Sequence, residues 1–186
     1  LTAFPRRCLD IYSCPMKTTA LIVAAGNSTR FGGPIPKQFV AVAGLPLLAW
    51  TLERFEKARS IDNIVMVVTE NLLLNVSDEI IDGSRPTKVV KVIAGGATRQ
   101  QSVLKGLESL PESTQLVAIH DGARPLTSPL DIDAVVQVAA VEKAAILATR
   151  VPDTVKKVVN DCIMSTLNRI DLWLAQTPQV FDRELI

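Results

Sequence analysis

"ALIVAAGNSTRFGGPIPKQF", residues 20–39, is the stretch that decides the fold. Its first part belongs to a continuous apolar run, residues 19–25, of strand length and closed by Gly26. A strand that is apolar at every position has no solvated face, so it belongs in a parallel sheet covered on both sides. A loop of small residues follows, Gly26, Asn27, Ser28 and Thr29, then Arg30 and, behind Pro34 and Pro36, Lys37. Small residues let backbone N–H groups approach an anion closely. The prolines restrict the backbone that carries Lys37. The pattern is not G-x-G-x-x-G, because Ser28 and Phe31 stand in place of the later glycines, and no Gly-Lys-Ser/Thr follows to make a Walker A loop. Two cations beside such a loop point to a polyphosphate. A tight strand-to-helix turn with solvated charges explains the loop, taken alone, equally well.

Outward from this stretch, strands and helices alternate. A second buried strand is predicted at residues 63–69, an alternating strand at 88–95, and further strands at 116–121 and 144–151. Helices are predicted where Leu48, Leu52 and Phe55 share one face, over residues 71–82, where Val103, Leu107 and Leu110 share one face, and after Ser128 as N-cap with Pro129 at the first helical position. This order predicts an α/β fold, a doubly wound, Rossmann-like, mostly parallel sheet. Residues 151–169 break the rhythm with two short β segments around Asn160-Asp161, a projecting hairpin that reads as an interface device or as a plain edge hairpin.

Bulk composition bounds the function. The 186 residues are 48% hydrophobic and 21% charged, enough for a packed core and against disorder. A net charge of +1 gives no global field for nucleic acid or a membrane surface, so any anion site must be local. No apolar run reaches the roughly 20 residues that span a bilayer. Cys8, Cys14 and Cys162 lack paired metal-ligand spacing, and an odd count of scattered thiols points to a reducing compartment, the cytoplasm. Residues 1–16 fit nothing that follows and read as leader sequence ahead of a domain over 17–186. Their two arginines and few acids also admit a transit-peptide reading, and with it a plastid.

In an open α/β sheet ligands bind beyond the carboxyl ends of the strands. Besides the first loop, two groups of polar residues fall there. In "GGATRQQSV", residues 95–103, two glycines follow a strand and a helix begins, an anion- or base-binding turn in which Ser102 could face a ligand or solvent. In "HDGARP", residues 120–125, Asp121 could hold a hydroxyl or a metal and Arg124 a phosphate or carboxylate, and a plain Asp–Arg ion pair is the alternative. His120, in an apolar strand, reads as a core histidine satisfied by its neighbours.

At these motifs the sequence resembles a known family. "AAGNSTRFGGPIPKQF", "GGATRQQSVLKGL", "HDGARP", "VPDTVKK" and "NRIDLWLAQTPQVF" occur in the order found in 2-C-methyl-D-erythritol 4-phosphate cytidylyltransferases of non-mevalonate isoprenoid biosynthesis. The resemblance implies attack of the substrate's 4-phosphate oxygen on the α-phosphorus of CTP, loss of pyrophosphate, and Mg²⁺ neutralising the triphosphate. By the same resemblance Arg30 and Lys37 are catalytic. Ala24, Ala25, Gly95 and Ser102 lie near the cytosine, Asn27 and Ser28 in the phosphate loop, and Gly26 and Asp121 at the ribose, with Asp121 also the metal candidate. Arg124, Thr154, Arg169 and Thr177 surround the polyol phosphate. Residues 151–168 match a dimerisation arm, which would carry Thr154 and Arg169 across a homodimer.

The sequence departs from the family's pattern at Ser28, at Ala97, where some members have aspartate near the base, and at its end. The family continues beyond "TPQVF" with a helix and a strand bearing a threonine and a lysine, so the domain reads as C-terminally incomplete. Ribitol-5-phosphate cytidylyltransferase is the near rival, because it shares the phosphate loop and the "PKQF" step. A non-catalytic CTP-binding or dimerisation module is the reading from another class. A dehydrogenase is weaker still, since the dinucleotide glycine pattern fails.

Overall fold

Strand Thr18–Ala24 (β1) runs through the middle of the sheet, as its apolar sequence demands. The computed structural model describes residues 16–26, 31–33, 35–73 and 86–186. The leader through residue 15, the loop residues Asn27, Ser28, Arg30 and Pro34, and most of the helix predicted over 71–82 lie outside the described residues.

In chain order the remaining elements are a short 3-10 turn, Lys37–Phe39; a two-strand ribbon, Ala41–Val42 (β2) and Leu45–Pro46 (β3); helix Leu47–Lys57 (α1); strand Asn63–Val68 (β4); a second 3-10 turn, Glu70–Leu72; strand Val89–Ala94 (β5); helix Arg99–Glu108 (α2); strand Leu116–Asp121 (β6); helix Pro129–Glu142 (α3); strand Ala144–Arg150 (β7); hairpin strands Lys156–Val159 (β8) and Cys162–Thr166 (β9); and strand Trp173–Asp182 (β10). Six strands form one sheet in the order β5-β4-β1-β6-β10-β7. β5, β4, β1 and β6 are parallel, while β10 is antiparallel to both β6 and β7.

The predicted mostly parallel, doubly wound sheet is thus present. β10 carries the last of the sequence motifs but no clear strand signal. Pro178 stands in its middle and its first residues are exposed, and both features mask a strand signal.

Successive residues of β1 point to opposite faces. Ala20 and Ile22 pack with Ile64 and Met66 beneath Leu48, Leu52 and Phe55 of α1 and Ile132 and Val136 of α3. Leu21 packs with Val65, Val67, Val117 and Ile119 beneath Val103 and Leu107 of α2. Each large side chain fully buried in these layers contributes roughly 2 kcal/mol of hydrophobic stabilisation.

Helix α2 differs from its predicted apolar stripe. Val103 and Leu107 are only half-buried, and the fully buried positions are Ser102 and Gly106. The cause is close approach: a Cβ at Gly106 would stand 2.4 Å from Leu21 Cδ1. Thr98 and Gln101 form a capping box that starts this helix. Ser128 caps α3, its Oγ accepting the Asp131 N–H at 3.1 Å, with Pro129 next.

The hairpin β8–β9 turns at Asn160 and Asp161, both left-handed (φ +47° and +60°), which suits the twist of a two-residue turn. Every residue of its two strands is exposed.

Candidate nucleotide site

The carboxyl ends of β1, β4, β5 and β6 open into one cleft of about 860 Å³. Ala24, Ala25, Gly26, Lys37, Gly95, Ser102, Asp121 and Arg124 all line it. These are the sequence-selected residues that the structure brings together.

The exit of β1 is held by Gln38. Its buried amide donates to the carbonyls of Ala24 at 2.7 Å and Gly26 at 2.9 Å. One side chain therefore ties both edges of the β1 exit to the 3-10 turn that begins with Lys37. The side chain of Lys37 is exposed on the cleft wall.

The exit of β5 is tight. The Gly95 N–H donates to the Val68 carbonyl at 2.7 Å. A Cβ at Gly95 would stand 2.5 Å from Ala25 Cβ and 2.8 Å from Ser102 Oγ, so only glycine leaves the cleft floor open here. Ser102 is not a solvated helix residue: it is 2% exposed. Its Oγ accepts the Gly96 N–H at 3.0 Å and donates to the Thr98 carbonyl at 2.9 Å, bracing the glycine turn.

The exit of β6 carries the charge. Asp121 accepts from Arg99 (Nη2 to Oδ1, 3.1 Å) and from Arg124 (Nε to Oδ2, 3.0 Å). Arg124 Nη1 also donates to Gln176 Oε1. All three charged groups are partly exposed, so the pairs contribute little stability and their cations stay available to an anion. Sequence reading missed Arg99 and Gln38. The capping-box pattern that starts α2 right after two glycines was the signal for Arg99. Gln38 offered none, because its role depends on the fold bringing Ala24 and Gly26 back to it.

His120 lies behind this turn, fully buried against Phe55 at 4.7 Å between ring centroids. Its Nε2–H donates to the Arg124 carbonyl at 3.1 Å, which leaves Nδ1 to accept from the Thr177 hydroxyl at 2.9 Å. Burial pushes its pKa down to about 4, so the ring is neutral. The predicted core histidine is present, and its two bonds pin the Asp121–Arg124 turn.

The other sequence-selected residues stand elsewhere. Thr177 is 6% exposed and its hydroxyl serves His120. It borders a second cavity of about 1460 Å³ on the far side of Arg124, together with Gln176, Arg150 and Trp173. Thr154 and Arg169 are exposed at the foot of the hairpin, where Arg169 Nη1 donates to the Pro152 carbonyl, and neither lines either cavity.

Among the described residues no group of three or more His, Cys, Asp or Glu could hold a metal by itself. Asp121 and Glu70 are the acids on the cleft wall. One carboxylate beside a cationic cleft suits Mg²⁺, an ion commonly held by one or two carboxylates and by substrate phosphates. No described helix is long and apolar enough to cross a membrane.

Comparison with known proteins bears directly on this site. The family model for 2-C-methyl-D-erythritol 4-phosphate cytidylyltransferase (IspD) matches residues 18–186. The chain is 41% identical to the 2-C-methyl-D-erythritol 4-phosphate cytidylyltransferase of Pelotomaculum thermopropionicum, over 91% of this chain and 72% of that protein. It is 43% identical to the one from Desulforamulus reducens, over 90% and 72%. Among solved structures, the 4-diphosphocytidyl-2C-methyl-D-erythritol synthase of Anaerococcus prevotii superposes with a TM-score of 0.78 at 30% identity, covering 91% of this chain and 71% of that one. The Thermus thermophilus cytidylyltransferase gives 0.69 at 32% identity, over 91% and 72%. Fold, cleft and relatives together define a nucleotidyltransferase with a Rossmann-like sheet. Within that class it is a cytidylyltransferase. The chain belongs to the 2-C-methyl-D-erythritol 4-phosphate cytidylyltransferase (IspD) family.

Proposed function

We propose that the cleft binds CTP and 2-C-methyl-D-erythritol 4-phosphate and transfers the cytidylyl group from one to the other. A 4-phosphate oxygen attacks the α-phosphorus of CTP. The bond from that phosphorus to the β-phosphate oxygen breaks in line, and its electron pair leaves with pyrophosphate. No bond to the protein forms, so positioning and charge stabilisation carry the catalysis.

The observation that supports this reading best is the two-sided character of the cleft. Around the β1 and β5 exits the wall carries the small, uncharged residues Ala25, Gly95, Gly96, Ala97 and Ser102, which suit a planar base. Arg99, Arg124 and Lys37 suit the phosphates. In this reading Ala24, Ala25, Gly95 and Ser102 hold the cytosine, and Gly26 and Asp121 the ribose. Asn27 and Ser28 hold the phosphates, and Arg30 and Lys37 meet the charge that builds at the α-phosphorus. Asp121 keeps Arg99 and Arg124 extended toward the cleft until phosphate oxygens compete for them. Mg²⁺, when bound, neutralises the triphosphate, and Asp121 is the side chain to hold it.

Arg124 and Thr177, on the side of the second cavity, and Thr154 and Arg169, on the arm, recognise the polyol phosphate. The arm joins two copies in a homodimer, so the last two residues serve the partner's site. Exposed apolar side chains along it, Val158, Ile163, Met164 and Ile170, support this arrangement. The free, exposed Cys162 supports a reducing, cytoplasmic setting.

The test is pyrophosphate release from CTP and Mg²⁺ with 2-C-methyl-D-erythritol 4-phosphate, run beside ribitol 5-phosphate. Release with the first alone is the expected result. Release with ribitol phosphate alone, or with neither, overturns the assignment.

A further inference from the structure

Gln38 is a buried polar side chain to which the proposed transfer gives no role. It is 3% exposed, whereas its neighbour Lys37 is exposed on the cleft wall. Carbonyl oxygens only accept, so the end of Gln38 that faces Ala24 and Gly26 is its NH2 group. The bonds at 2.7 and 2.9 Å take both of its hydrogens.

The two tied carbonyls belong to the residues on either side of Ala25. A Cβ at Gly26 would meet nothing within 4 Å, so close packing does not hold its Cα, and the carbonyl bond supplies the hold. On the other side of the tie the turn Lys37–Phe39 is itself fixed. The Phe39 N–H donates to the Pro36 carbonyl at 2.9 Å, the Val40 N–H donates to the Lys37 carbonyl at 3.2 Å, and Phe39 packs against the core. Lys37 and Gln38 share a peptide bond, which holds their Cα atoms about 3.8 Å apart. Gly26 and Lys37 are therefore joined in space through the one side chain of Gln38.

We propose that Gln38 is a positioning residue for cytidylyl transfer: by holding the Ala24 and Gly26 carbonyls it sets the place of the Lys37 ammonium relative to the nucleotide at the β1 exit. This role rests on the CTP reading given above. Loss of the amide misplaces Lys37 without removing its charge.

A double-mutant cycle with pyrophosphate release as the assay reads this role. Gln38→Leu should lower kcat about 10- to 100-fold, the size of effect that a misplacement of about 1 Å produces. In Lys37→Ala no ammonium is left to position, so adding Gln38→Leu there should cost less than about threefold more. Gln38→Glu is the second, nearly isosteric variant. Its carboxylate donates to neither carbonyl, while burial favours the protonated form, which donates to one. Its kcat relative to the parent should rise severalfold as the pH falls from 8.5 to 6.5. Should Gln38→Leu fail to fold, Gln38→Glu with and without Lys37→Ala completes the cycle. A merely structural Gln38 would lower the thermal midpoint and cost kcat the same factor with or without Lys37. That equal cost, a kcat within about twofold of the parent in Gln38→Leu, or a Gln38→Glu ratio that is flat with pH overturns the assignment and leaves the CTP reading standing. A parent chain that releases no pyrophosphate overturns both.

Discussion

Lowering the pH from 7.5 to 5.0 should destabilise the folded chain through one residue. The protein contains a single histidine, His120. In the unfolded chain it titrates near pH 6.5, and in the fold burial lowers its pKa to about 4. Between those values the unfolded state binds the extra proton and the folded state does not, so stability falls as the pH falls. Above pH 6.5 the ring is neutral in both states and nothing is lost. From 6.5 down to 5.0 the loss accumulates at about 1.4 kcal/mol per pH unit, or about 2 kcal/mol in all. For a domain of this size that lowers the thermal midpoint by about 4–8 °C. Ordinary aspartate and glutamate side chains titrate below this window, and Glu53, held below the usual value by its hydrogen bond from Lys57, loses its contribution only below about pH 5. Urea unfolding at pH 7.5, 6.5, 5.8 and 5.0 measures the slope in the parent and in His120→Gln. The variant should start less stable, because the Arg124 carbonyl and the Thr177 hydroxyl lose well-placed partners, and should then stay flat across the window. An equal slope in the variant, or a flat parent, would refute the reasoning.

Three further outcomes follow from the same geometry. Lys37→Ala should reduce turnover roughly 100- to 1,000-fold with the unfolding midpoint unchanged, because the side chain is exposed on the cleft wall; steady-state kinetics beside a thermal melt checks this. Arg169→Ala should raise the apparent KM for the polyol phosphate severalfold more than that for CTP, and equal effects on both would remove it from that pocket. Gly106→Ala should destabilise by about 1–2 kcal/mol in urea despite the better helix propensity of alanine, since the new methyl group would stand 2.4 Å from Leu21 Cδ1 in a side chain with no exposed surface.

Much of this architecture is legible in local sequence. The unbroken apolar runs of β1, β4 and β6 announce strands covered on both faces, and the structure buries them so. Ser128-Pro129 announces the start of α3, and Asn160-Asp161 the turn of the arm. β10 escaped notice because proline and exposure mimic a loop, although its pairing with β6 and β7 inserts it firmly in the sheet. In the sequence Ser102 could face a ligand or solvent, because helical period alone does not reveal that Gly106, one turn later, draws the helix down onto β1.

What the sequence by itself determined is whatever depends on neighbours along the chain: strand and helix positions, caps, the small-residue loop, and five motifs in a family's order. What only the tertiary structure decided is which side chains meet. Gln38 reaches the carbonyls of Ala24 and Gly26, Arg99 shares Asp121 with Arg124, and Thr177 satisfies His120 from 57 residues away. Hydrogen bonds and ion pairs act over a few ångströms of space. The order of strands in the sheet, not separation along the chain, sets those distances.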